Sequence, residues 1–141
     1  MKRLLFLLLS VVALFSCSNK ESHEEESGDW KELNAFHKIM AKAFHPLKDS
    51  EDIAPTKQLI KQLADEADDW SNSELPEKVN TPEMKEKLQK LKTDARSLEN
   101  EIQNGASDNI IKEKMNQLHD QFHKIMESWH SEETEDENEN H

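Results

Sequence analysis

The pentapeptide Phe-His-Lys-Ile-Met occurs twice in this chain, at residues 36–40 and 122–126. Each copy carries an imidazole and a thioether, both of which ligate transition metals. Imidazole suits copper, zinc, nickel and haem iron, while a thioether favours copper(I) or a low-spin haem. The second copy lies between two more histidines, His119 and His130. At 100° per residue, His119, His123, Met126 and His130 fall within about 60° of one another on a helix. His37 and Met40 lie on another helical stripe, at a depth that matches the His119–His123 region. Copper or a b-type haem is therefore the expected cofactor, with His37 and His123 as leading ligands. Met40 would support a haem, and His119 and Met126 would support a metal ion.

Each of these residues also has a plainer reading. A histidine in a helix stripe can be a hydrogen-bonded boundary residue, and Met40 and Met115 can fill core gaps. His130 near a helix end can simply favour the helix dipole. His45, next to Pro46, is either a peripheral ligand or a turn residue. Trp30, Trp70 and Trp129 read as core at one end of the fold, and Trp30 and Trp129 could wall a slot for a flat cofactor. Other chemistry is poorly served. Glu127-x-x-His130 is half of a di-iron carboxylate pattern, and the sequence has no second Glu-x-x-His. Gly-rich phosphate loops, nucleophile elbows and His-Glu-x-x-His are also missing from it. The chain is not expected to be an enzyme.

Four amphipathic helices are expected to position these groups. Trp30, Leu33, His37, Met40, Phe44 and Leu47 recur at spacings of three and four, on a first helix expected to end at Pro46. The second follows Pro55 and turns Leu59, Ile60, Leu63, Ala67 and Trp70 inward, closing at Asn72-Ser73 and Pro76. The third opens at Thr81-Pro82-Glu83-Met84, an N-cap followed by Pro in the first turn, and stops at Asn104-Gly105. Its stripe is Met84, Leu88, Leu91, Ala95, Leu98 and Ile102. The fourth starts near Ser107 or Asp108 and carries Ile111, Met115, Leu118, Phe122, Ile125 and Trp129. Short connections favour an antiparallel up-down-up-down four-helix bundle over residues 29–130. It is either a monomer or a pair of hairpins completed by dimerisation.

The ends of the chain read differently. Lys2 and Arg3 precede the apolar run Leu4–Phe15, broken only by Ser10. That run is too short to span a bilayer and has the build of an export signal. Residues 17–28 begin with the chain's single cysteine, Cys17, and continue as a polar tether; residues 131–141 are expected to be a disordered acidic tail. One cysteine allows no disulfide within the chain. Removing residues 1–16 takes Lys2 and Arg3 away and moves the net charge from −12 to −14. Such a domain does not bind nucleic acid or anionic lipid through bulk charge.

Two resemblances add to this reading. Leu14-Phe15-Ser16-Cys17 resembles the bacterial lipobox, which implies cleavage after residue 16 and lipidation of Cys17. A protein so processed is anchored to the membrane through that lipid. Ser18 is not the Asp that retains enterobacterial lipoproteins at the inner membrane, which implies the outer membrane, with either a periplasmic or a surface-facing domain. From Ile53 onward the chain resembles the cytochrome b562 family of exported four-helix bundles, best at Thr81-Pro82-Glu83-Met84-Lys85 and onward through Leu88, Leu91, Leu98 and Asn104-Gly105. That family holds haem between a Met on helix one and a His on helix four. The resemblance makes His123 the His, but puts Trp30 where the Met should be, and Trp cannot ligate iron. Two function classes follow. One is a lipid-anchored bundle that binds a transition metal or haem between helices one and four, for sequestration or electron transfer. The other is a non-catalytic envelope adaptor with structural histidines and a protein partner.

Overall fold

The computed structural model describes residues 30–138, and its side chains as far as Ser131. The expected signal peptide, Cys17 and the tether lie outside the described residues. Within them the chain is a four-helix bundle without strands: α1 (Lys31–Ser50), α2 (Ala54–Asn72), α3 (Pro82–Gln103) and α4 (Asp108–Asn138). A single 3-10 turn, Glu77–Val79, interrupts the connection between α2 and α3. No helix of the described residues is long and apolar enough to cross a membrane.

The helix starts follow local chemistry. Thr81 caps α3, its hydroxyl accepting from the Met84 N–H at 3.1 Å, with Pro82 in the first turn where no N–H is needed. Gly105 takes the left-handed conformation, with φ of 80°, that ends the helix and lets the chain reverse toward α4. Two ends depart from expectation. Pro46 does not terminate α1, which continues to Ser50. The ring removes one helical hydrogen bond, but Leu47 beyond it is buried and anchors the last turn. The Pro46 carbonyl then closes the helix, accepting from Asp52 N–H at 3.1 Å and the Ser50 hydroxyl at 2.9 Å. At the other end of the chain, α4 runs to Asn138, into the stretch expected to be a disordered tail. Residues 131–138 contain no Pro or Gly to break it.

One apolar core joins all four helices. Leu33, Phe36, Met40, Leu63, Trp70, Leu91, Met115 and Phe122 are each at most 1% exposed. Burial of this kind, worth about 1.5–3 kcal/mol per large side chain, is what makes the individually marginal helices persist. Leu75 and Val79, from the α2–α3 connection, add to the cluster. The seams between helices are built differently. Between α2 and α3, Asp65 meets Arg96 at 2.6 Å and Asp68 meets Lys92 at 2.6 Å. Arg96 also holds the nearly buried Glu99 at 2.8 Å. Between α1 and α2, the buried Thr56 hydroxyl donates to the Ala43 carbonyl at 2.8 Å, so a polar group sits in the core without an orphaned donor. Between α1 and α4 the contacts are rings: Phe36 on Phe122, His37 on Phe122 and Phe44 on His119.

Candidate metal site

The α1–α4 seam carries most of the candidate ligands. On α4, His119 and His123 are one helical turn apart, where side chains four residues apart are neighbours. Their Nε2 atoms approach to 3.1 Å. Without an ion, one ring N–H donates to the lone pair of the other, which requires the two imidazoles to take opposite tautomers. The same geometry suits a chelate. With two metal–nitrogen bonds of about 2.0–2.1 Å, a 3.1 Å separation gives a bite angle of about 100°. That lies between the square-planar and tetrahedral values, so the pair offers two cis ligands without a change of helix geometry.

The surroundings hold His119 neutral and oriented. Phe44 of α1 lies nearly parallel to the His119 ring, centroid to centroid 3.8 Å, and fixes its plane. The His119 side chain is 21% exposed. Burial, followed by the positive charge His123 can carry, pushes its pKa down to about 4; Lys48 and His45 act in the same direction and Asp120 opposes them. At neutral pH His119 therefore presents a lone pair and not a charge. The nearest Asp120 oxygen is 3.9 Å from His119 Nδ1, too long for a hydrogen bond.

The remaining expected ligands take other places. His37 stacks on Phe122, with centroids 5.3 Å apart. It does not complete a cluster with His119 and His123: among the described residues no group of three or more His, Cys, Asp or Glu side chains is placed to hold one ion. The reason is a competing contact, since Phe122 offers His37 a flat apolar face on the core side of α4. Met40 is 1% exposed and belongs to the core. Met126 is half-buried and packs on the core from the same strip of α4 as the histidine pair. His130 and His45 are exposed.

This packing does not fit a haem between α1 and α4. Phe36 and Phe122 touch across the seam with centroids 5.4 Å apart, filling the space a macrocycle would take. The expected slot between Trp30 and Trp129 is filled as well. The two rings are 5.2 Å apart, and Trp70 packs on Trp30 at the same distance. All three indole N–H groups in this cluster are buried without a protein acceptor, and Lys78 Nζ sits 3.2 Å over the Trp129 ring. An open groove along α3 lies outside the seam, beside Lys92, Arg96, Glu101 and Ile110. Its charged walls are already paired, Lys92 with Asp68, Arg96 with Asp65 and Glu101 with Lys114, so it offers no unsatisfied charge to a ligand.

Sequence reasoning gave His119 a supporting role and missed the contact that orients it, as it missed a buried carboxylate in the α2–α3 seam. Phe44 was legible as core but not as the ring that orients His119. Glu99, 7% exposed, is held by Arg96 three residues earlier, a spacing the sequence does show. No protein-family model matches the chain, and no curated protein or solved structure matches it.

Proposed function

We propose that this chain is an exported, lipid-anchored, antiparallel up-down-up-down four-helix bundle that holds a copper ion on its α1–α4 seam. The observation that carries the reading is the 3.1 Å approach of His119 Nε2 to His123 Nε2. Two imidazoles with a bite angle near that of a metal chelate are a ready-made pair of ligands. Met126, on the same strip of α4, is the thioether that would bias the site toward copper(I) over zinc. The antiparallel topology is supported by Trp30, at the start of α1, packing on Trp70 and Trp129 near the far ends of α2 and α4. The scaffold resembles that of cytochrome b562, and the ligand set is this chain's own. The bundle would sequester copper at the membrane surface, or carry one electron if the ion cycles.

The anchor reading rests on Ser16-Cys17 after the apolar run 4–15. It is tested by labelling cells with a radioactive fatty acid: the wild-type chain takes up label and Cys17→Ser does not. The metal reading is tested on full-length protein purified in detergent without chelators, by elemental analysis and copper(I) titration. About one copper per chain, lost in the His119→Ala, His123→Ala double variant, supports it. A folded protein that takes up no copper leaves the histidines structural and turns the account to the adaptor alternative.

A further inference from the structure

Asn104-Gly105 closes α3 and is the only Asn-Gly pair in the sequence. The amide carbon of an asparagine side chain is an electrophile, and the backbone nitrogen of the next residue is a nucleophile close to it. A glycine leaves that nitrogen uncrowded, because it has no Cβ. Both residues are exposed, and a Cβ at Gly105 would meet no other part of the fold within 4 Å. The pair therefore has the composition and the solvent access to lose ammonia through a cyclic imide.

The reaction balances without an oxidant or a reductant. The Gly105 nitrogen gives up its proton and bonds to Asn104 Cγ, the Cγ–Nδ2 bond breaks, and Nδ2 leaves as ammonia. Water then opens the five-membered ring. Attack at Cγ gives aspartate, and attack at the Asn104 backbone carbonyl carbon gives isoaspartate, whose main chain is longer by a methylene. The fold opposes the first step. Ring closure needs the Gly105 nitrogen eclipsed with Asn104 Cβ. With ψ of 8° at Asn104, it is eclipsed with the Asn104 nitrogen instead. Three hydrogen bonds hold it there. Gly105 N–H donates to the Ile102 carbonyl at 3.1 Å, Ala106 N–H to the Glu101 carbonyl at 2.9 Å, and Asn104 Nδ2 to the Asn100 carbonyl at 2.7 Å. The contacts that satisfy the last carbonyls of α3 thus keep nucleophile and electrophile apart.

We propose that Asn104 is a self-modification site gated by the C-terminal cap of α3, converting to aspartate or isoaspartate when the α3–α4 turn opens. Either product puts a negative charge at the C-terminal end of a helix, where the dipole disfavours it. It also removes the donor to the Asn100 carbonyl. Each conversion leaves the turn easier to open, and it marks a chain whose turn has opened. Asn72-Ser73 at the end of α2 is the internal comparison. The Asn72 side chain is also held, donating to the Asp68 carbonyl at 2.8 Å, but the residue after it carries a Cβ and crowds the nitrogen. This chemistry is independent of the imidazole pair.

The test incubates full-length protein, folded in detergent or unfolded in guanidinium chloride, in mildly alkaline buffer. Peptide mapping by mass spectrometry reads the amide-to-acid mass gain at each asparagine, and retention time separates isoaspartate from aspartate. In the unfolded chain Asn104 should convert ahead of Asn72 and give both products. In the folded protein it should convert about 10-fold more slowly or slower still, because hydrogen bonds of ordinary net strength must break first. Amide hydrogen exchange at Gly105 and Ala106 should be slowed by a matching factor. Asn104→Gln should abolish the conversion and keep the helix content seen by circular dichroism. Equal rates in the folded and unfolded chains would overturn the gate. An unfolded chain in which Asn72 converts first, or Asn104 not at all, would overturn the site.

Discussion

The two long seams of this bundle are closed by different chemistry. Between α2 and α3 a lattice of charges runs along the surface, with Arg96 reaching Asp65 and Glu99 and Lys92 reaching Asp68. Between α1 and α4 flat rings stack, with imidazoles among them. A paired charge is already satisfied and has little left to offer a ligand. A neutral imidazole held against a ring keeps a lone pair. The α2–α3 seam thus holds satisfied charges, and the α1–α4 seam holds the candidate ligands.

Substitutions should separate the two seams, starting with the largest effect. Phe122 touches Phe36, His37, Trp70 and His123. Phe122→Ala should cost about 3–5 kcal/mol in urea unfolding, as expected for truncating a buried aromatic ring. A loss below about 1 kcal/mol would mean the ring seam is not part of the core.

Acid should open the ring seam first. The folded pKa of His119, about 4, lies below its ordinary 6.5, so the unfolded chain binds the extra proton. Stability is then full above about pH 6.5 and falls as pH drops toward 4, by up to about 3 kcal/mol. The carboxyls of Asp65 and Asp68 are held below their ordinary value of 3.8 by their Lys and Arg partners, so their contribution is lost only at lower pH. Unfolding midpoints of the metal-free protein at pH 7 and pH 4.5 isolate the first window. His119→Gln should flatten it, and an unchanged slope would put the titration elsewhere.

In the charged seam, Arg96→Met leaves the buried Glu99 carboxylate with only the neutral Gln103 amide and should cost about 1–3 kcal/mol. The loss should shrink when Glu99→Gln is added, because the stranded charge is gone. Lys92→Ala should barely move the melting midpoint, since its pair with Asp68 is screened by solvent and salt. A large effect there would mean the surface lattice does more than finish the seam.

Much of this was legible in the residues. The heptad-like spacing from Ile111 to Trp129 and from Met84 to Leu98 marks faces that are in fact buried. Thr81-Pro82 and Asn104-Gly105 fix the two ends of α3, because caps act through local backbone chemistry. Pro46 was less legible, because burial of Leu47 beyond it depends on contacts the local sequence does not encode. The candidate site was legible in part. The i,i+4 spacing of His119 and His123 alone makes them neighbours. Whether His37 joins them depends on which ring it stacks upon, a choice between nearly equal contacts across two helices that no periodicity decides.

The central claim is that His119 and His123 act as one chelate. The most direct measurement follows the imidazole nitrogens of the full-length protein by NMR during copper(I) addition. The account predicts that Nε2 of His119 and Nε2 of His123 shift together and saturate at one equivalent, while His130 stays unchanged. Copper(I) that leaves both resonances in place, or moves only one of them, would contradict it.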